Sequence, residues 1–226
     1  MDLIENKPVI INACVGGGWY GQGTERLVKS LNHVGWVGSV LTWKNKWPND
    51  EFDKSCNYHV KCSAFVEAIK LGYTHILWCD SSVWALNDPM PIFDIIEKNG
   101  FFFWSSGYNC AQTCNDNIIN YFSKTRDEVE SWPDIATGIF AVNLNNSKGR
   151  EFIYGWINAC LDGVFKGSRN HDNQSSDPRF LFHRQDQSAA SLLASIHQMQ
   201  PIDQNSLLGY YKKDMPDSWV FTLRGI

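Results

Sequence analysis

The chain has no dense run of Lys or Arg. Its 20 basic residues face 24 acidic ones for a net charge of -4, whereas a protein that grips a nucleic-acid backbone carries a basic face. No apolar stretch approaches eighteen residues without polar breaks, so no membrane span is expected. The opening residues MDLIENKP hold acids where a signal peptide carries basic residues ahead of a long apolar run. Cysteine is odd in number, at seven. Cys14, Cys62 and Cys79 lie inside apolar patterns, which suits reduced, buried thiols in a cytosol. Cys110 and Cys114 lack a second cysteine pair and a histidine at the right spacing, which argues against zinc.

What is present is a chain of 226 residues with 43% hydrophobic content, enough to bury a sizeable core. Ten Trp stand out. Several sit beside polar or glycine residues, among them Trp19, Trp43, Trp47, Trp104, Trp132 and Trp156. Packing accounts for most of them, and flat rings that line a sugar or base cleft account for others. Apolar runs predict strands over Val9–Val15, Ser39–Trp43, His75–Asp80, Phe101–Trp104 and Ile139–Leu144. Helical spacing predicts helices over Thr24–Val34 (with Thr24 as N-cap), Tyr58–Leu71, Ile92–Lys98, Glu151–Cys160 and Asp186–His197, with shorter ones over Asp116–Ser123 and Arg126–Glu130. Lys166–Phe180 reads as loop. This alternation predicts an α/β fold with a mostly parallel central sheet flanked by helices. No linker splits the chain, so a single domain is expected, with halves at about 1–105 and 106–200 and a tail over 201–226.

In an open α/β sheet, ligands bind beyond the carboxyl ends of the strands, and polar residues cluster at several of these ends. GGGWYGQGTER runs from a strand into a helix, so its backbone N–H groups can approach a phosphate. Gly16, Gly18 and Gly21 satisfy a loose G-x-G-x-x-G, but no acid caps the second strand, and a flexible surface turn explains the glycines almost as well. THILWCDSSVWAL places Asp80 at the tip of a core strand. That carboxylate either helps clamp a divalent cation against a diphosphate or, with Ser81 and Ser82, caps a turn. Lys61, nineteen residues earlier, is either a phosphate contact or a solvated cation. The HRQDQS run at a helix start either caps that helix or holds sugar hydroxyls through His183, Arg184, Asp186 and Gln187.

Together, YHVKCSAFVEAIKLGYTHILWCDSSVWALNDPMPIF, ATGIFAVNL and HRQDQSAASLL resemble GT-A glycosyltransferases, in particular the small sugar transferases of bacteria and large DNA viruses. The likeness runs from about Val9 to His197. It implies that Ala13, Cys14, Val15 and Gly16 hold base and ribose, and that Lys61 contacts the donor. Asp80 would bind ribose or metal together with Ser81 and Ser82. Thr137 and Gly138 would line the sugar pocket with His183 near it, and Asp186 and Gln187 would meet the transferred sugar. The resemblance implies a donor that is a nucleoside-diphosphate sugar (UDP-linked for preference), a glycan or glycoprotein acceptor, and Mn²⁺ or Mg²⁺ at Asp80 and Ser82. For a viral chain, the compartment implied is the host cytoplasm. The departure is Ser82, where the family's Asp-x-Asp carries its second acid. Either a hydroxyl or a water replaces it, or another residue such as His171, His183 or Asp186 helps, or the metal binds weakly. Asp134 or Asp186 is the candidate base of an inverting reaction, and Gln187 or Asp186 the weak nucleophile of a retaining one. The rival reading is a non-catalytic nucleotide-sugar- or glycan-binding domain of the same fold. A nucleotidyltransferase is a weaker rival, since no glycine-rich loop is followed by Arg and Lys.

Overall fold

The computed structural model describes residues 7–166, 175–202 and 206–224. The elements follow in chain order: β1 (Pro8–Cys14), α1 (Tyr20–His33), β2 (Ser39–Lys44), α2 (His59–Lys70), β3 (His75–Cys79), β4 (Val83–Ala85), α3 (Met90–Asn99) and β5 (Phe101–Phe102). A hairpin and three short helices come next: β6 (Ser105–Asn109), α4 (Cys110–Thr113), α5 (Asp116–Tyr121), α6 (Arg126–Val129) and β7 (Pro133–Ile135). The chain closes with β8 (Ile139–Asn143), α7 (Ser147–Leu161), α8 (Asp186–Ile196), β9 (Leu208–Tyr210) and β10 (Phe221–Leu223).

The central sheet has the order β2-β1-β3-β8-β5. Successive strand residues point to opposite faces, and the apolar runs supply both. Val9, Ile11, Ile76, Trp78, Phe140 and Val142 join the core under α2, α7 and α8. Ile10, Leu77, Cys79, Ile139 and Ala141 join the other core, under α1 and α3. Each fully buried side chain of this kind contributes roughly 1.5–3 kcal/mol relative to exposure, so the sheet is anchored from two sides.

The sheet is mixed rather than mostly parallel. β1 pairs in parallel with β2 and β3, but β8 runs antiparallel to both β3 and β5. An apolar run reads the same in either direction, so composition does not reveal the reversal. The reversal matters at the site. It brings the residues entering β8, Thr137 and Gly138, beside the residue leaving β3, and the Asp80 N–H donates to the Gly138 carbonyl at 2.8 Å.

A second correction concerns Thr24, which is not a cap. α1 begins four residues earlier, at Tyr20, and Thr24 Oγ1 donates to Asn12 Oδ1 at 2.7 Å, with Ser81 Oγ at 3.2 Å. A buried polar net thus ties α1 to the tips of β1 and β3. Gly23 allows that approach, because a Cβ there would lie 2.1 Å from the Ser81 carbonyl oxygen. A three-stranded sheet, β4-β10-β9, flanks the same end of the molecule. Among the described residues no helix is long and apolar enough to cross a membrane.

Candidate functional site

Three elements converge on Asp80. β3 ends just before it, and its Oδ1 accepts from the Trp78 indole N–H at 2.7 Å. Lys61, in the first turn of α2, extends its ammonium to 3.3 Å from Asp80 Oδ1 and 3.0 Å from Asp186 Oδ2. The same ammonium donates to the Thr137 carbonyl at 3.0 Å and lies 3.4 Å from Thr137 Oγ1. Thr137 Oγ1 donates to Asp186 Oδ2 at 2.9 Å. Asp186 opens α8, where the Trp156 indole of α7 donates to its carbonyl at 2.9 Å. The residue before it, Gln185, has φ 47° and ψ -110°. A non-glycine residue held there costs roughly 1–3 kcal/mol and persists only when its surroundings impose it. Here the strain delivers Asp186 to Lys61.

The electrostatics follow from burial and proximity. Burial alone would lower Lys61, but Asp186 and Asp80 outweigh it and hold the ammonium well above the usual lysine range. Burial raises the Asp80 carboxyl above the ordinary carboxylate value; Lys61 opposes the rise, Asp186 adds to it, and the Trp78 hydrogen bond opposes it. The Asp80 side chain still exposes 34% of its surface, against 3% for Asp186. Asp80 Oδ2 lies beside Gly138, at whose α-carbon a Cβ would sit 3.5 Å from that oxygen.

Two adjoining clefts share Tyr58, Lys61, Asp80 and Ser82. The larger, about 690 Å³, runs from the β1 end past Ala13, Cys14 and Val15 to Trp19, Tyr20, Ser55 and Asn57. The smaller, about 500 Å³, runs past Thr137, Gly138, Asp186 and Gln187 to Trp104, Tyr210, Arg184 and Arg224. Lys61, Arg184 and Arg224 line the pair against two carboxylates, Asp80 and Asp186; a fourth cation, Lys166, is paired with Asp53 at 2.9 Å. The cleft therefore has a cationic surplus in a chain whose net charge is -4.

The structure brings together most of the residues singled out from the sequence and separates some. Ala13, Cys14, Val15, Lys61, Asp80, Ser81 and Ser82 line the larger cleft, and Thr137, Gly138, Asp186 and Gln187 the smaller. Gly16 lies outside both linings, and Ser81 spends its hydroxyl on the Thr24 net. His183 is fully buried and off the cleft wall. His171 lies outside the described residues. Asp134 is fully buried and accepts from Ser106, Thr113, Ser191 and Gln187. A carboxylate so enclosed is in no position to deprotonate an acceptor. Instead it fixes Gln187, whose Nε2 donates to it at 2.6 Å while Oε1 faces Arg184 at 3.4 Å.

Sequence reasoning missed Tyr58, Asn57 and Arg224 as lining residues. Arg224 gave no signal, because the tail carries no pattern of its own. Trp19 and Tyr20 were signalled, in hindsight, by their place inside the glycine loop. Their rings stack at 4.7 Å with an interplanar angle of 26° on the wall of the larger cleft.

The divalent cation that the resemblance implies does not fit these residues. At a diphosphate such a cation is held by one or two protein carboxylates, with phosphate and water oxygens completing its shell. Among the described residues no three His, Cys, Asp or Glu side chains converge. Asp80 Oδ1 and Asp186 Oδ2 already face Lys61, and Ser82 brings no charge. A cation stands at Ser82 instead: its carbonyl accepts from the Arg26 guanidinium at 3.0 Å, and also from the backbone N–H of Arg224 at 3.1 Å.

No protein family matches the chain, and no curated protein does. Among solved structures, the chain is similar to a glycosyltransferase involved in the glycosylation of the major capsid of PBCV-1, at a TM-score of 0.45 and 11% identity over 96% of this chain and 93% of that one. It is also similar to mouse xyloside xylosyltransferase 1 in its apo form, at a TM-score of 0.49 and 9% identity over 92% of this chain and 88% of that one. At these values the likeness carries no functional weight, which rests on the cleft itself.

Proposed function

We propose that this chain is a glycosyltransferase of the GT-A type that moves a hexosyl group from a nucleoside-diphosphate sugar, UDP-linked for preference, to a hydroxyl of a glycan or glycoprotein. The observation that carries this reading is the meeting of two clefts on Lys61 and Asp80, with Asp186 on the smaller one 3.0 Å from Lys61 and a cationic surplus around them. Base and ribose occupy the larger cleft, against the β1 end and the Trp19–Tyr20 pair. The diphosphate crosses the junction, and the sugar enters the smaller cleft.

Transfer breaks the bond between the anomeric carbon and the diphosphate oxygen and forms one to the acceptor oxygen. Negative charge grows on the leaving diphosphate, which Arg184 and Arg224 on the cleft wall are placed to meet. Positive charge grows on the sugar ring, beside Asp186 and the Gln187 amide oxygen. With Asp134 enclosed, Asp186 is the carboxylate that remains on the sugar side to take the acceptor proton or steady the ring.

The test is release of free nucleotide from UDP-, GDP-, CDP- and dTDP-sugars by the purified chain. UDP release that is lost in Asp80→Ala is the expected result, and no release or binding of any donor sinks the proposal. Ser82, standing where a second acid belongs, favours one alternative: a binding module that kept the fold and lost the chemistry. Tight donor binding without hydrolysis or transfer is its signature.

A further inference from the structure

Nitrogen Nζ of Lys61 has four oxygens around it: Asp80 Oδ1 at 3.3 Å, Asp186 Oδ2 at 3.0 Å, the Thr137 carbonyl at 3.0 Å and Thr137 Oγ1 at 3.4 Å. Two carboxylates, a carbonyl and a hydroxyl are the donor set of a hard-cation site. They come from three separate parts of the chain, the β3 tip, the entry to β8 and the start of α8, and the ammonium holds them together. Its side chain is 11% exposed, so the charge is locked into the fold rather than waving in solvent.

We propose that the Lys61 ammonium is the resident cation of this cleft, occupying the oxygens a divalent metal would take, and that Arg184 and Arg224 bind the donor diphosphate in the metal's place. The inference rests on the donor-binding reading above and adds which charges meet the diphosphate. Three features agree. The position of the missing second acid, Ser82, carries the Arg26 guanidinium on its carbonyl and shares the wall of the smaller cleft with Arg224, and a dication there meets repulsion. Arg184 and Arg224 line the wall of the smaller cleft, whereas Lys166 on the larger one is paired with Asp53 at 2.9 Å, so the cations placed to meet a diphosphate stand on the sugar side of the junction. The two carboxylates left in the cleft are both within 3.3 Å of one ammonium, which cancels part of the field that would attract a metal ion.

Two measurements on the full chain test this. The first is calorimetric titration of UDP and of a UDP-sugar, with EDTA and again with millimolar Mn²⁺. The expected dissociation constants agree within about twofold, and turnover persists in EDTA. A tightening of about tenfold or more with Mn²⁺, or turnover that needs the metal, overturns the inference and leaves the glycosyltransferase reading standing. Absence of nucleotide binding under both conditions overturns that reading and this one together.

The second measurement is Mn²⁺ binding, without nucleotide, by wild type and by Lys61→Ala, read by electron paramagnetic resonance. Wild type is expected to bind none. The variant, with four oxygens released from the ammonium, is expected to gain a Mn²⁺ site. A folded variant that gains none, or a wild type that binds Mn²⁺ at Asp80, overturns the assignment. If Lys61→Ala does not fold, the titrations on wild type still decide.

Discussion

Asp80 and Asp134 are two carboxylates drawn out of bulk water by the same fold, and they end in opposite situations. Asp80 ends a strand, leans on one indole N–H and one ammonium, and keeps a third of its side chain exposed to a cleft. Asp134 lies in β7 with no exposed surface. Each of its oxygens accepts twice: Oδ1 from Thr113 and Ser191, Oδ2 from Ser106 and Gln187. A buried carboxylate whose oxygens are all engaged organises its neighbours, whereas one with an oxygen to spare can meet a ligand. The difference is not in the residue type or in its burial alone, but in how many donors the fold supplies.

The sharpest way to break this comparison is to delete each acid in turn. Asp80→Ala is expected to lower kcat/KM for the donor by about 10–10²-fold, the cost of removing a charged acceptor from the donor's hydroxyls, while circular dichroism stays that of wild type. Asp134→Ala is expected to act on the fold instead. Four donors, three of them buried, lose their acceptor, at a cost of about 3 kcal/mol in urea unfolding, and kcat falls through the loosened Gln187 amide with KM for the donor little changed. If Asp134→Ala lost donor binding while Asp80→Ala kept it, the two roles would have to be exchanged.

A smaller effect separates the two acids by pH. Burial raises both above the ordinary carboxylate range. For Asp80 the consequence is in activity: the ionised form is the working one, so kcat/KM drops as pH falls through a value raised above that of an ordinary aspartate, and that acid limb disappears from the residual activity of Asp80→Asn. For Asp134 the consequence is in stability. A folded-state value above the unfolded one means that the proton is held more tightly in the folded chain. The contribution is therefore complete below the unfolded value of about 3.9 and is lost as pH rises through the raised one. The stability difference between wild type and Asp134→Asn should narrow across that window on raising the pH. A difference that widens instead would show that Asp134 is held ionised by its four donors.

The same pair shows how far the sequence could be read. Asp80 was legible because an apolar run stopped abruptly at it, and Lys61 because a helix of readable length preceded that run. Their joining to Asp186 was not legible, since it depends on the strained Gln185 backbone and on β8 running against β3, and neither leaves a mark in hydrophobic periodicity. Asp134 looked like a free acid because the hydroxyls around it, Ser106, Thr113 and Ser191, are scattered over 86 positions of chain. β9 and β10 went unread because three-residue strands are too short to show alternation.

The tryptophans repeat the contrast at lower stakes. Trp156 is fully buried between Phe65, Phe140 and Phe165, and Trp156→Ala is a core deletion worth about 3–5 kcal/mol. Trp19 is 45% exposed on the wall of the larger cleft, backed by Tyr20. Its ring faces solvent until a base arrives, so the fold gains little from it. Trp19→Ala is expected to change unfolding free energy by less than about 0.5 kcal/mol, while stacking worth about 1 kcal/mol is lost from the nucleotide, roughly fivefold in the dissociation constant of UDP. Because the base lies away from the bond that breaks, kcat should hold. The discriminating measurement is free UDP against the intact donor: a stacking role weakens both alike, whereas a role in seating the sugar weakens only the donor and would move Trp19 to the other side of Asp80.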